Sequence, residues 1–208
     1  MNIILFGATG TVGIEILTEA LAKGHQLTAF VRNPEKLPLF EDKNLIIHKG
    51  DVLKLEDVKK AMYNQGVVLC VLGDGKIGKI RAEGTKNILS AMSDFGVKRL
   101  ICQTTLGMGE SYGNLNFMWK HIMFGLFLKK AFQDHKLQEH YIQNSNVNYT
   151  IVRPSALTKG PVTNNYKVGF SKDLKGLSLK ISRQDVADFM LKQITSSDYI
   201  RKCVSISN

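Results

Sequence analysis

Cysteine is scarce in this chain, and what there is stands alone. The 208 residues hold three, Cys70, Cys102 and Cys203, each inside an apolar run of strand character, with no C-x-x-C or H-E-x-x-H pattern. This distribution argues against a disulfide framework and against a metal site, and for buried, reduced thiols in a cytoplasmic protein. Long apolar runs are lacking too. The longest block, residues 117–132, is broken by Lys120, His121, Lys129 and Lys130, short of the roughly 20 clean residues that cross a bilayer. Residues 1–3 lead straight into a strand, leaving no room for a basic segment and cleavage site, so no secretory leader is expected. Repeats and low-complexity stretches are missing as well. A hydrophobic share of 44% and a charged share of 22% belong to an ordinary globular chain, long enough for one domain over residues 1–208 and short for two. Acidic residues are the last deficit: 18 against 28 basic ones, for a formal charge of +10. Such a surplus suits nucleic acid, a membrane surface or anionic ligands. Its lysines are scattered, with no aromatic-basic platform, so neither a nucleic-acid nor a membrane partner is expected. The surplus reads as solvated surface, with a few cations recruited for phosphate on a small-molecule ligand.

What is present is a regular alternation. Apolar runs of strand length at residues 2–6, 26–31, 45–48, 67–72 and 99–103 alternate with helical periodicity at 12–23, 55–63 and 80–95. Nearly continuous apolar strands separated by helices predict a doubly wound α/β fold with a parallel sheet covered on both faces. Beyond Gln103 the pattern loosens. Residues 104–116 read as a loop, 115–143 as helical, and 148–152 as a strand ending at Arg153-Pro154. The remainder, with strands at 166–170 and 203–206 and a helix at 184–194, reads as a small elaboration on the substrate side.

The first strand runs into Gly7-Ala8-Thr9-Gly10-Thr11-Val12-Gly13 and then a helix. In such a turn Gly7 takes tight-turn angles, Gly10 admits a pyrophosphate close to the main chain, and Gly13 lets the helix pack on the strand. The helix N-terminus offers free N–H groups to the anion. The second strand ends in Val31-Arg32-Asn33-Pro34-Glu35-Lys36, where an NAD-specific fold carries an acid for the ribose 2′-hydroxyl. Arg32, with Lys36 a helical turn on, favours the 2′-phosphate of NADP(H). The competing readings are a solvated Arg32 and a Glu35 that swings in. Asp51, in Gly50-Asp51-Val52, either accepts from the adenine amine or caps the helix starting near Glu56. Gly73, in Gly73-Asp74-Gly75, either passes under the dinucleotide or makes a plain turn.

These residues, together with Glu83-Gly84-Thr85-Lys86-Asn87-Ile88, Thr104-Thr105 and Val152-Arg153-Pro154, run in order over nearly the whole chain. They resemble the atypical short-chain dehydrogenases/reductases of the NAD(P)-binding, NmrA-like group, most closely the flavin reductase/biliverdin-IXβ reductase branch. The resemblance implies a Rossmann domain binding NADPH through Gly7, Thr9, Gly10, Thr11, Val12, Gly13, Arg32, Lys36, Asp51, Val52 and Gly73. It also implies that Thr105 matches a serine beside nicotinamide and substrate, with Thr104 next to it, and that Pro154 and Ser155 flank the nicotinamide. Two departures matter. No tyrosine is followed four residues on by lysine, so the usual phenolic acid is missing; Tyr149 has Arg153 there. The family serine is Thr105, which keeps the hydroxyl and adds a methyl.

Hydride addition to a flavin, quinone or linear tetrapyrrole leaves a delocalised anion that solvent can protonate, so the missing acid suits a reductase of flat conjugated acceptors. The alternative is a redox sensor that binds the dinucleotide without turnover. An epimerase-like relative fits less well, since those keep the Tyr-Lys pair and a larger C-terminal domain. His121, His135 and His140 fall in the helical stretch as candidate donors or as surface residues. The stripe Trp119, Ile122, Met123, Leu126 and Phe127 reads at helical spacing as core, or else as a pocket wall or subunit contact.

Overall fold

A computed structural model describes residues 1–75 and 77–208. The chain opens with β1 (Asn2–Phe6), α1 (Thr11–Ala22), β2 (Gln26–Val31), a 3₁₀ turn at Pro34–Lys36, β3 (Leu45–Lys49), α2 (Leu55–Met62), β4 (Val67–Cys70), α3 (Arg81–Asp94) and β5 (Arg99–Gln103). A second 3₁₀ turn at Gly109–Asn114 leads to a π-helix (Met118–Phe127), α4 (Lys129–Gln143), β6 (Asn148–Pro154), β7 (Ala156–Thr158) and β8 (Lys167–Val168). Then come β9 (Lys180–Ser182), α5 (Arg183–Lys192) and β10 (Lys202–Ser207).

Eight strands form one sheet in the order β3-β2-β1-β4-β5-β6-β10-β8, parallel except where β8 runs against β10. The first six reproduce the Rossmann order, which reverses direction between β1 and β4 and opens a crevice at their carboxyl ends. Side-chain alternation along β1 explains the layering. Ile3 and Leu5 pack with Ile16, Leu17, Val186 and Met190 of α1 and α5 on one face. Ile4 and Phe6 pack with Val58, Ile88 and Ile142 of α2, α3 and α4 on the other.

The doubly wound expectation holds, with differences at the margins. β3 is an edge strand whose Ile46 and Ile47 are exposed, so the sheet is not covered on both faces there. β4 stops at Cys70, the strand anticipated at 166–170 shrinks to Lys167–Val168, and β7 and β9 pair as a separate two-stranded unit. Cys70 and Cys102 are buried opposite each other on β4 and β5, whereas Cys203 is half-buried.

The helix anticipated over 115–143 is two elements. Its first half is a π-helix, in which residues five apart share a face. Trp119 and Phe124 therefore turn inward together, against Leu106, Leu115, Leu128 and Leu179. Met123 is half-buried, while Ile122, Leu126 and Phe127 are exposed, so the stripe expected as core is not core. The α-helical period of the sequence reading put these residues on the wrong face.

One buried ion pair anchors this region. Arg153 on β6 donates from Nε and Nη2 to Glu139 on α4 at 3.0 and 2.7 Å, and from Nη1 to Glu110 at 2.7 Å. Burial alone would lower its pKa, but the Glu139 hydrogen bonds outweigh that and hold the guanidinium charged.

Candidate active site

The Gly7–Gly13 turn sits where β1 ends at the crevice. Gly7 has φ +91°, and a Cβ there would lie 2.5 Å from the Val71 carbonyl oxygen. A Cβ on Gly13 would strike the Gly7 carbonyl, so Gly13 serves helix-on-strand packing rather than the cleft lining. Gly10 differs: it is exposed, and a Cβ would meet only the Gly7 oxygen, at 3.2 Å. Larger side chains there would project into the cleft. Among the described residues no side chain caps α1, so its first-turn N–H groups are available to an anion. Arg183 on α5 adds a guanidinium at this end, its Nε donating to Thr11 Oγ1 at 3.0 Å.

A cleft of about 640 Å³ extends from this turn across the sheet edge. Gly7, Thr9, Gly10, Thr11, Val12, Arg32, Lys36, Asp51, Val52 and Gly73 all line it. Pro34–Lys36 coils into the 3₁₀ turn that brings Lys36 to the rim beside Arg32, while Glu35 is not part of the lining. Neither cation has an ion-pair or hydrogen-bond partner among the described residues. Asp51 does not cap α2, whose N-cap is Lys54 without a side-chain bond. Its Oδ1 instead accepts from Leu53 N–H at 3.0 Å, closing a local turn beside the cleft.

A second cavity of about 320 Å³ adjoins the first, and the two share Arg81, Gln103, His135 and Leu157. Thr104, Thr105, Pro154 and Ser155 line this second cavity, not the dinucleotide cleft. Its walls are otherwise largely apolar: Leu106, Leu115, Trp119, Phe124, Leu128 and Leu179. Thr104 donates its hydroxyl to Glu139 Oε1 at 2.7 Å and is committed to the Arg153 pair. Among the described residues Thr105 is tied only to the Leu106 carbonyl, at 3.3 Å. Ser155 Oγ and Gln103 Oε1 are buried with no hydrogen-bond partner among the described residues.

Of the three histidines weighed from sequence, the structure brings His135 alone to this junction; His121 and His140 are exposed. Asp134, its neighbour on α4, accepts from the backbone N–H of Arg81 and Ala82, both at 3.0 Å, and so caps α3 from outside. That contact fixes α4 against the cleft. Gln138 Nε2 donates to Thr85 Oγ1 at 3.0 Å and Cys102 Sγ at 3.3 Å, so its Oε1 is left as an acceptor, 3.1 Å from His135 Nδ1. His135 Nδ1 therefore carries the proton, and Nε2 is an unprotonated acceptor on the cavity side. Burial, with the Arg81 guanidinium nearby, pushes the ring's pKa down to about 3. Arg81 itself is held by Asp74 at 2.6 Å and Asp134 at 3.5 Å.

Sequence reading missed Arg81, Gln103, Leu157 and Arg183. Local signals existed for two: Gln103 ends β5, and Arg81 opens the helix after the Gly73-Asp74-Gly75 loop. Among the described residues no group of three His, Cys, Asp or Glu side chains is placed to hold a metal, and no helix is long and apolar enough to cross a membrane.

Comparison with known proteins agrees with this geometry. The NAD(P)H-binding family model matches residues 7–197. An uncharacterised chloroplast protein of Arabidopsis thaliana is 29% identical over 99% of the chain and 76% of its own length. Other curated relatives are longer, the chain spanning 61% of one and 53% of another. Among solved structures, ChuY, an anaerobilin reductase from Escherichia coli O157:H7, superposes with a TM-score of 0.83 at 23% identity, covering 99% of this chain and 96% of ChuY. A short-chain dehydrogenase/reductase from Veillonella parvula in complex with NADP superposes with a TM-score of 0.84 at 18% identity, over 100% and 94%. With its uncapped α1, the Gly10 cradle and the family match over residues 7–197, this chain belongs to the NAD(P)H-binding family of Rossmann-fold proteins.

Proposed function

We propose that the protein is an NADPH-dependent reductase of a flat conjugated acceptor, a flavin, quinone or tetrapyrrole-like ring. The observation that carries this reading is the junction of the dinucleotide cleft with a largely apolar cavity at Gln103, His135 and Leu157. Arg32 and Lys36 favour a 2′-phosphate, since two cations without counterions at a cleft rim match its charge. The bound NADPH supplies the hydride. The rest is positioning by this chain's own side chains.

No tyrosine lines either cavity among the described residues, which fits an acceptor whose reduced anion is delocalised and takes its proton from solvent. Thr105 and Ser155 donate hydroxyl hydrogen bonds to ring carbonyls. Gln103 Oε1 and His135 Nε2 accept from ring N–H groups. With its pKa near 3, His135 stays neutral at neutral pH and does not serve as the acid. A cavity of about 320 Å³ lies at the small end of ligand sites and suits one ring system, so a linear tetrapyrrole would extend past it. The anaerobilin reductase activity of ChuY, a fold neighbour, supports the acceptor class.

The test is steady-state NADPH consumption across riboflavin, FMN, quinones and tetrapyrroles. Acceptor-dependent oxidation is expected. Tight NADPH binding with no acceptor reduced replaces this reading with a sensor.

A further inference from the structure

The outer face of the π-helix, with Phe117 just before it packed on the His121 ring, is apolar and exposed. Phe117 is 72% exposed, Met118 50%, Ile122 40% and Leu126 72%. Four large apolar side chains so exposed within ten residues mark an interaction surface rather than ordinary surface scatter. The helix has no alternative way to bury them by rolling over, because Trp119 and Phe124 on its other face are packed against Leu106, Leu115 and Leu179.

Charge narrows the choice of occupant. Residues 111–133 contain no Asp or Glu but carry Lys120, Lys129 and Lys130. Lys129 and Lys130 are exposed, and Lys120 lies over the Tyr112 ring at 5.2 Å. None of the three has an ion-pair partner among the described residues. A two-fold contact with a second copy sets this patch against itself; with no acid in the segment, lysines would meet lysines or leave the interface edge uncompensated. A bilayer with anionic headgroups complements both properties at once: apolar side chains enter the acyl boundary while lysine stems extend back to the phosphates.

From this patch we infer that the outer face of the π-helix, through Phe117, Met118, Ile122 and Leu126 with Lys120, Lys129 and Lys130, docks the protein on anionic phospholipid bilayers. The contact is interfacial and needs no spanning helix. The proposal departs from the expectation, drawn from scattered lysines, that no membrane is involved, because three of the lysines fall within the short stretch 117–130 that carries the exposed apolar side chains. Docking is independent of the reductase reading, but it has a consequence for it. The cavity walled by Trp119 and Phe124 lies on the other side of the same helix, so docking holds that cavity close to the bilayer.

The experiment is co-sedimentation of the full chain with vesicles of phosphatidylcholine alone and of phosphatidylcholine mixed with phosphatidylglycerol. Partitioning onto the mixed vesicles is expected to exceed that onto neutral ones by about tenfold or more, given three lysines near the surface. The double variant Phe117→Glu/Leu126→Glu is expected to lose about tenfold or more of it, and Lys129→Glu/Lys130→Glu most of the preference for anionic lipid. NADPH affinity, read by calorimetry on each variant, reports that the fold is intact, since none of these residues lines the dinucleotide cleft. Equal binding to both vesicle types, or full binding by the folded Phe117→Glu/Leu126→Glu variant, overturns the inference. So does a stable dimer in sedimentation velocity that Leu126→Glu dissociates, which assigns the face to a second copy instead.

Discussion

Removing the Arg32 guanidinium, in Arg32→Ala, is expected to reduce discrimination between NADPH and NADH without impairing dinucleotide binding as such. The two cofactors differ only by the 2′-phosphate, and Arg32 and Lys36 are the cations at the rim of the cleft near β2. A hydrogen bond to a charged partner contributes about 1.5–3 kcal/mol. Arg32 is exposed, so solvent screening places it toward the lower end, and NADPH affinity should fall about tenfold at moderate salt. NADH affinity should change by less than about twofold on the same argument. Adding Lys36→Ala should remove most of the remaining preference. Because both contacts are Coulombic, raising the salt concentration should weaken NADPH binding to the wild type more than to the double variant. Titration calorimetry with both cofactors at two ionic strengths reads all of this. Equal wild-type affinities for NADPH and NADH, or an Arg32→Ala variant weakened equally toward both, refutes the reasoning.

Four further variants carry expected outcomes. Gly10→Val should abolish dinucleotide binding while circular dichroism stays native, because among the described residues a Cβ there meets only the Gly7 oxygen, at 3.2 Å, and the branched side chain takes up space at the cleft lining; normal binding by the variant would make the loop a plain turn. Thr105→Val should lower acceptor reduction about ten- to a hundredfold with NADPH affinity unchanged, and an unchanged rate removes the hydroxyl from the mechanism. His135→Phe should depress reduction of N–H-bearing flavins more than of quinones, which offer no donor to Nε2. The same variant tests linkage: the folded ring titrates near 3 against 6.5 unfolded, so its neutral form stabilises the fold fully above about pH 6.5 and that contribution is lost as pH falls toward 3. Wild type should therefore lose more stability than His135→Phe between about pH 7 and pH 5 in urea denaturation, by about 2 kcal/mol. Glu139→Gln should destabilise by about 3 kcal/mol, the low end for a broken buried pair, because it removes the charge of Arg153's bidentate partner and leaves exposed Glu110 as the counterion, and a urea midpoint within error of wild type contradicts that.

The dinucleotide half was legible because its determinants are local. Gly7, Gly10 and Gly13 follow one strand within a single turn, and Arg32 and Lys36 share another, so spacing alone reports their geometry. The second cavity, the proposed acceptor site, is assembled from β5, the π-helix, α4, β6 and the stretch before β9, and no window of sequence contains it. His135 resembled any helix histidine until α4 was docked by the Asp134 cap on α3. Thr104 and Thr105 are adjacent, yet Glu139, far along the chain, takes the first hydroxyl and leaves the second for a ligand. The π-helix defeated periodicity itself: an α-helical period groups Trp119 with Ile122 and Met123, whereas i→i+5 bonding pairs it with Phe124.

On the proposed function, the two joined cavities bring NADPH and a flat acceptor into hydride-transfer contact. This is tested most directly by single-turnover reaction of the protein with NADPH deuterated at the transferring C4 position and the best acceptor from the panel. Expected are loss of deuterium from the cofactor, retained at carbon in a reduced tetrapyrrole and exchanged into water from N5 of a reduced flavin or from a hydroquinone oxygen, a rate below that with unlabelled NADPH, and a slower step in Thr105→Val with NADPH affinity intact. Tight NADPH binding with no label leaving the cofactor for any acceptor contradicts it.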